Sequence, residues 1–174
     1  FLVQAEKTFC FGRRYSEVAP NGLPLDIYTD PSGRYQRITK NMPRNILKAA
    51  CRVIGTHIHV GMPDRDTAIA VYNSVISRVN ILSYMGDHSN GERLRLYKIM
   101  APNHIPVRYE DWGHFRSYSF KNGFDSDPRK CWHLIRISVH GTVEFRMFGA
   151  TTELDEIAGW AKVCCRLCKM AISN

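Results

Sequence analysis

Two histidines in the segment Gly55-Thr-His-Ile-His-Val-Gly61 have a spacing that suits chemistry. Successive side chains of a strand point to opposite faces, so His57 and His59 would share one face and Ile58 would take the other. Two imidazoles on one face can bind a metal ion or an anionic ligand. The alternative is a pair of polar residues on a solvated sheet face, and the segment alone leaves both interpretations open.

A carboxylate and a guanidinium alternate in the same way in the segment Gly141-Thr-Val-Glu-Phe-Arg-Met-Phe148. Glu144 and Arg146 fall on one face of the predicted strand, while three apolar residues fall on the other. The two charged groups either pair with each other, or the carboxylate holds a divalent cation while the arginine binds a phosphate or carboxylate.

The elements that must position these residues follow from periodicity and turn signals. Strands are predicted over 52–60, 131–139 and 142–148, the last two joined as a hairpin through His140-Gly141. Helices are predicted over 43–50, over 64–82 with Asp64 as N-cap, and from residue 151 or 152 onwards.

The remaining segments lack clear periodicity. Residues 1–35 form an irregular lead-in, and residues 86–127 are predicted to form a long functional loop, since long loops in compact domains usually carry function. The order of elements predicts an α+β fold in which helices cover one face of a mostly antiparallel sheet. The length of 174 residues suits a single domain over 1–174.

Charge and composition narrow the class of protein. Lys and Arg number 24 against 16 Asp and Glu, and the resulting net charge of +8 favours anionic partners. No apolar run approaches the roughly 18 residues of a membrane span, so no membrane partner is expected. Of the six cysteines, Cys164 and Cys168 lie on the apolar stripe of the last helix, which indicates buried reduced thiols and a cytoplasmic protein.

The order of these motifs resembles the carboxylate–amine ligase family, also called the glutamate–cysteine ligase type 2 family. The resemblance runs from about Tyr35 to the C-terminus. In chain order, the matching features are the His57–His59 segment through Met62-Pro-Asp64, a helix with Ala68 and Asn73, the Ile105-Pro…Trp112…Phe115 segment, Trp132 and Arg136 before the hairpin turn, and the Glu144–Arg146 segment.

The resemblance implies a glutamine-synthetase-like fold, in which an antiparallel sheet curves around a funnel that holds ATP, magnesium and a carboxylate substrate. It also implies that ATP phosphorylates the carboxylate and that an amine then attacks the acyl phosphate to give an amide. Such a reaction needs positive charge around the transferred phosphoryl group.

The same resemblance assigns roles to individual residues. His57 and Glu144 would contribute to metal binding, and His57, His59 and Arg136 would contribute to binding ATP or the substrate carboxylate. Arg146 would be the catalytic residue, in contact with the transferred phosphate or the carboxylate.

Two departures from the family pattern leave three interpretations open. The family's glutamate-rich first strand has no counterpart, since Glu6 and Glu17 stand apart, and Lys98 replaces a family arginine. The favoured interpretation is the C-terminal part of a larger catalytic domain, with an N-terminal half or partner chain supplying further ligands. The alternatives are a non-catalytic binding or interaction module on the same scaffold, and a basic nucleic-acid-binding domain that uses the basic and aromatic residues of 86–127.

Overall fold

The computed structural model describes residues 2–9 and 16–173. The helices in these ranges are α1 (Leu2–Phe9), α2 (Arg34–Thr39), α3 (Arg44–Arg52), α4 (Arg65–Val75), α5 (Val79–Met85), α6 (Glu92–Met100), α7 (Trp112–Lys121) and α8 (Leu154–Ser173). The strands are β1 (Thr56–Gly61), β2 (Ile135–Ser138) and β3 (Thr142–Phe148). The predicted α+β class is therefore confirmed, while a glutamine-synthetase-like arrangement stays a prediction.

The three strands form an antiparallel sheet with the order β1-β3-β2, so β3 is the central strand. Its register pairs Glu144 with His59 on one side and with Arg136 on the other. The register thereby places three polar residues, widely separated in sequence, side by side across the sheet. The predicted antiparallel pairing is confirmed, but β1 and β2 begin at residues 56 and 135 rather than at 52 and 131. The reasons are that α3 continues to Arg52 and that the Leu134 amide bonds to His104 instead of to a strand.

The opposite face of the sheet carries the hydrophobic core. Ile58 and Phe145 are 8% and 0% exposed, and they pack with Tyr72 of α4 and with Trp160 and Cys164 of α8. Fully burying side chains of this kind contributes about 1.5–3 kcal/mol each. The period-2 pattern of the strands therefore directs the apolar residues to the helices and leaves the polar residues on the other face.

The predicted burial of two thiols is confirmed. Cys164 and Cys168 are 0% and 1% exposed, and both pack in the main core. The neighbouring Cys165 is exposed, as its position on the other side of α8 requires.

The helix predicted over 64–82 begins as expected but is not continuous. Asp64 caps α4, because its Oδ1 accepts a hydrogen bond from the Thr67 amide at 2.8 Å. A 3-10 turn at Ile76–Arg78 separates α4 from α5. The Ser77 hydroxyl donates to the Ser74 carbonyl oxygen at 3.0 Å, and such local hydrogen bonds compete with a regular helix.

The prediction of a long loop over residues 86–127 is wrong, because α6 and α7 both lie within this range. In α6 the buried face consists of Arg93, Leu96 and Tyr97, and the arginine hides the apolar periodicity. The start of α7 has a signal in the sequence, because aspartate is a favoured N-cap residue and Asp111 directly precedes the helix. In the structure Asp111 accepts a hydrogen bond from the His114 amide at 2.7 Å.

The expected irregular lead-in over 1–35 also holds a helix, α1 at Leu2–Phe9. Alanine, glutamate, lysine and glutamine are strong helix formers, and all four occur in α1. Residues 16–33 contain turns and a single bridge between Val18 and Val53. In the parts of the chain that the structure describes, no helix has the length and apolar character that crossing a membrane requires.

Candidate functional site

Glu144 lies at the centre of the candidate site, with a side chain only 1% exposed. Its Oε2 atom accepts a hydrogen bond from Arg136 Nε at 2.7 Å. Its Oε1 atom is 3.3 Å from His57 Nδ1, 3.5 Å from Arg146 Nε and 3.8 Å from His59 Nε2. The structure thus brings together the five site residues named from the sequence, although their proposed roles remain predictions.

A β-bulge brings His57 into this cluster. Thr56 pairs with Phe148 and Ile58 pairs with Phe145, so two residues of β3 face one residue of β1. This irregularity turns His57 towards the Glu144 carboxylate, while regular pairing places His59 directly opposite it.

The environment of Glu144 keeps its carboxylate ionised. Burial alone would raise its pKa, but hydrogen bonds from His57 and Arg136 and the charges of Arg136 and Arg146 lower that pKa to about 2. A buried carboxylate is stable only when its charge is paired and hydrogen-bonded, and this cluster provides both.

Arg136 also organises the polypeptide below the site. Its Nη1 atom donates to the carbonyl oxygens of Pro128 and Cys131, both at 2.8 Å. The side chain of Arg136 therefore connects the carboxylate of Glu144 to the segment that precedes β2.

Arg146 is more buried than Arg136 and the two histidines of the site. Its side chain is 7% exposed, its Nη1 donates to the Cys131 carbonyl at 2.9 Å, and its guanidinium lies 5.3 Å from the centre of the Trp132 ring. It is absent from the lining of the adjacent cavity. Contact between Arg146 and a transferred phosphate therefore stays a prediction.

A second arginine, Arg93, positions the strands that carry the site. It is 4% exposed and donates to the carbonyl oxygens of Ile54, Met147 and Arg146 at 2.6–3.1 Å. These hydrogen bonds join α6 to the start of β1 and the end of β3. The sequence showed only a basic residue in a supposed loop, so this structural role was missed.

A cavity of about 930 Å³ opens over the Glu144 cluster, a size typical of small-molecule sites. His57, His59, Arg136 and Glu144 line it together, and we call these four residues the cavity floor. The remaining walls include the cations Arg65, Arg116 and Arg129, the acids Asp64 and Asp125, and the aromatic residues Trp112, Phe115, Phe120 and Phe124.

The three wall arginines were not among the residues singled out from the sequence. Arg65 is the first residue of α4, and its guanidinium lies 5.3 Å from the centre of the Trp112 ring, a cation–π contact. Arg116 belongs to α7, and Arg129 lies in the 3-10 turn before β2. Only Arg65, beside the cap of α4, and Arg129, beside Pro128, have a local sequence signal, and that signal is weak.

The cavity floor does not by itself fit a magnesium ion. Magnesium prefers oxygen ligands in an octahedral arrangement, and the floor offers one carboxylate whose two oxygens already contact guanidinium and imidazole groups. A divalent cation about 4 Å from one guanidinium would be repelled by about 8 kcal/mol at an effective dielectric constant of about 20. Among the described residues no cluster of three or more His, Cys, Asp or Glu side chains could hold a metal ion.

Comparison with known proteins gives the following similarities. The chain is 30% identical over 120 residues to the protein named "Putative glutamate--cysteine ligase 2" of Gloeobacter violaceus, covering 61% of this chain and 32% of that protein. It is 24% identical over 148 residues to the protein of the same name from Solibacter usitatus, covering 77% of this chain and 38% of that protein. It is 26% identical over 122 residues to the "Glutamate--cysteine ligase" of Natronomonas pharaonis, covering 62% of this chain and 34% of that protein.

The chain spans about a third of the length of these relatives. No family model matches it. The similarity to these proteins confirms that this chain resembles the glutamate–cysteine ligase type 2 family.

Proposed function

We propose that this chain forms part of the substrate site of an ATP- and magnesium-dependent carboxylate–amine ligase that acts like a glutamate–cysteine ligase. The observation that carries the proposal is the arrangement at the cavity floor. Both histidines of the His57–His59 motif, together with Arg136 and Arg146, lie within 4 Å of the buried Glu144 carboxylate. The names of the similar proteins support the same reaction class.

The proposed reaction has two steps. An oxygen of an amino-acid carboxylate attacks the γ-phosphorus of ATP, the bond to ADP breaks, and an acyl phosphate forms. The nitrogen of an amine then attacks the acyl carbon, phosphate leaves, and the nitrogen loses a proton as the amide bond forms. The protein contributes mainly orientation and charge to such a transfer, because the phosphoryl group itself does the covalent chemistry.

In this proposal the described residues supply the basic side of the site. Arg136 and His57 would orient the anionic group of ATP or of the substrate, and His59 would support them from the neighbouring position. Arg116 at the cavity wall would attract the anions. Because the floor alone does not fit magnesium, acidic ligands from another segment or a partner chain are part of the proposal.

The test is turnover by the full-length polypeptide that contains this sequence. With magnesium, ATP, glutamate and cysteine present, we expect release of ADP and formation of a glutamyl–cysteine amide, measured by coupled assay and mass spectrometry. Hydroxylamine in place of the amine should trap the acyl phosphate as a hydroxamate. The proposal would be wrong if the full-length protein released no ADP with any amino-acid pair and bound no nucleotide in calorimetry.

A second candidate is a non-catalytic binding module on the same scaffold. It is favoured by the full engagement of the Glu144 oxygens with positively charged or polar neighbours. Saturable binding of glutamate or ATP without turnover would select this alternative, whereas any amide-forming turnover would exclude it.

A further inference from the structure

The charges around Glu144 favour an anion over a cation at the cavity floor. Arg136 and Arg146 both lie within 4 Å of the single carboxylate, so the cluster has one positive charge in excess even when both imidazoles are neutral. The carboxylate therefore acts as a counter-ion that is already satisfied. A further cation would meet this excess charge, whereas an anion would be attracted by it.

The floor also has polar atoms that remain available to a ligand. Arg136 uses Nε and Nη1 in its three hydrogen bonds, and the Nδ1 atom of His57 faces Glu144. Among the described residues, neither Nη2 of Arg136 nor Nε2 of His57 has a hydrogen-bond partner. Both side chains line the cavity, and a guanidinium suits the planar oxygen pairs of carboxylate and phosphate groups.

The walls carry charges of both signs, since Asp64 and Asp125 line the cavity with three arginines and Arg129 lies 2.8 Å from Asp127. The preference for an anion therefore comes from the floor, beside which the aromatic residues of α7 form an apolar surface. Apolar walls concentrate the electrostatic field of a charged cleft, because they exclude water that would screen it.

We propose that the cavity floor is an oxyanion site at which Arg136 and His57 bind one phosphate or carboxylate group directly, without a bridging metal ion, and that Glu144 is a positioning residue. The charge of Glu144 holds the guanidinium and the imidazole in place for the ligand. This inference rests on the proposed function, for which it names the contact with the anionic group, but it does not require turnover.

The first experiment measures binding of inorganic phosphate and of glutamate, each alone, to the 174-residue chain by calorimetry. The titrations are done in EDTA and again in excess magnesium. We expect at least one of the two anions to bind, with affinities that agree within about twofold between the two conditions. The separate titrations with phosphate and with glutamate show whether the site binds a phosphate group or a carboxylate group.

Binding of neither anion, or binding only in the presence of magnesium, would overturn the inference. Failure of turnover in the full-length protein would instead overturn the proposed function. The two failures are therefore distinguishable.

The second experiment removes the proposed contacts. Arg136→Lys keeps the charge but loses the guanidinium fork, and we expect a loss of affinity of about tenfold or more. Because Arg136 also supports the chain before β2, His57→Phe is a second variant, at a side chain that is 41% exposed. Arg95→Lys is the matched control, since Arg95 is 63% exposed and lies outside the cavity lining. Wild-type affinity in both site variants would contradict the assignment.

The third experiment tests the positioning role of Glu144. Glu144→Ala removes the acceptor for Arg136 Nε, and we expect about a fivefold loss of oxyanion affinity in EDTA. Glu144→Gln retains an amide oxygen as an acceptor and should recover part of this loss, to the same extent with and without magnesium. Unchanged or increased affinity of Glu144→Ala in EDTA would contradict the positioning role, because positive charge alone would then explain the binding. A loss in either variant that appears only with magnesium would show that Glu144 is a metal ligand instead.

Discussion

Replacement of Glu144 by glutamine removes the negative charge at the centre of the floor while keeping the side-chain volume. The two guanidinium groups of Arg136 and Arg146 would then be packed against a neutral amide. Removing one partner of a buried ion pair usually destabilises a protein by about 3–5 kcal/mol, because the remaining charge stays buried and unpaired.

The lowered pKa of Glu144 gives a second way to calculate how much its charge contributes to the free energy of unfolding. A fall from the ordinary value of 4.5 to about 2 corresponds to about 3 kcal/mol of folding free energy. Because the folded-state pKa is depressed, this contribution is fully present above about pH 4.5 and is lost as the pH falls through about 2. At pH 3 about 2 kcal/mol of it should already be lost.

The assay is urea unfolding of wild type and Glu144→Gln at pH 7 and pH 3, followed by circular dichroism. We expect a difference of about 3 kcal/mol in the free energy of unfolding at pH 7 and about 1 kcal/mol at pH 3. Comparing the two proteins at each pH cancels the contributions of the other carboxylates.

Glu92→Gln is the matched control for this measurement. Glu92 also lies near two arginines, Arg52 at 2.7 Å and Arg95 at 3.8 Å, but its side chain is 41% exposed. An exposed pair contributes less than about 1 kcal/mol, so we expect only a small effect at either pH. If Glu144→Gln cost the same at pH 7 and pH 3, or no more than Glu92→Gln, the account of Glu144 as a buried counter-ion would be refuted.

Two further substitutions and one labelling experiment test the packing around the site. Arg93→Met should lower the free energy of unfolding by about 3 kcal/mol or more, measured in urea, because it removes a buried donor from three carbonyl oxygens, two of them in buried hydrogen bonds. Gly149→Ala should cost about 1–3 kcal/mol in the same assay, because a Cβ would overlap a buried carboxylate oxygen, whereas Gly61→Ala, which has open space, should cost less. In the native protein a thiol reagent should label the exposed Cys165 quickly and Cys164 only on unfolding, and equal labelling rates would contradict the packing of α8.

The alternation of strands made part of the site predictable from the sequence. Because side chains alternate between the two faces of a strand, His57 and His59 are predicted on the face opposite to that of the core residue Ile58, and the structure has this arrangement. The cap at Asp64 and the buried Cys164 followed from equally local rules. Such features depend on residues close together in the chain, which is why a sequence can reveal them.

The pairing inside the site was not predictable in this way. The sequence suggested that Glu144 could bind a cation, but the register places Arg136 directly across from it. The bulge that turns His57 to the same carboxylate depends on how β1 and β3 align over their whole length. Likewise α6 escaped recognition because its buried face includes Arg93, whose charge is satisfied by backbone carbonyls from other elements.

The same packing changes the meaning of the basic and aromatic residues between 86 and 127. Stacking on single-stranded nucleic acid requires aromatic rings at an accessible surface beside a basic groove. Tyr97 and Tyr109 are 3% and 2% exposed, so these rings stabilise the core instead. Trp112, Phe115, Phe120 and Arg116 line the cavity above the floor. This packing supports the proposal of a small anion at the cavity floor over that of an extended polyanion.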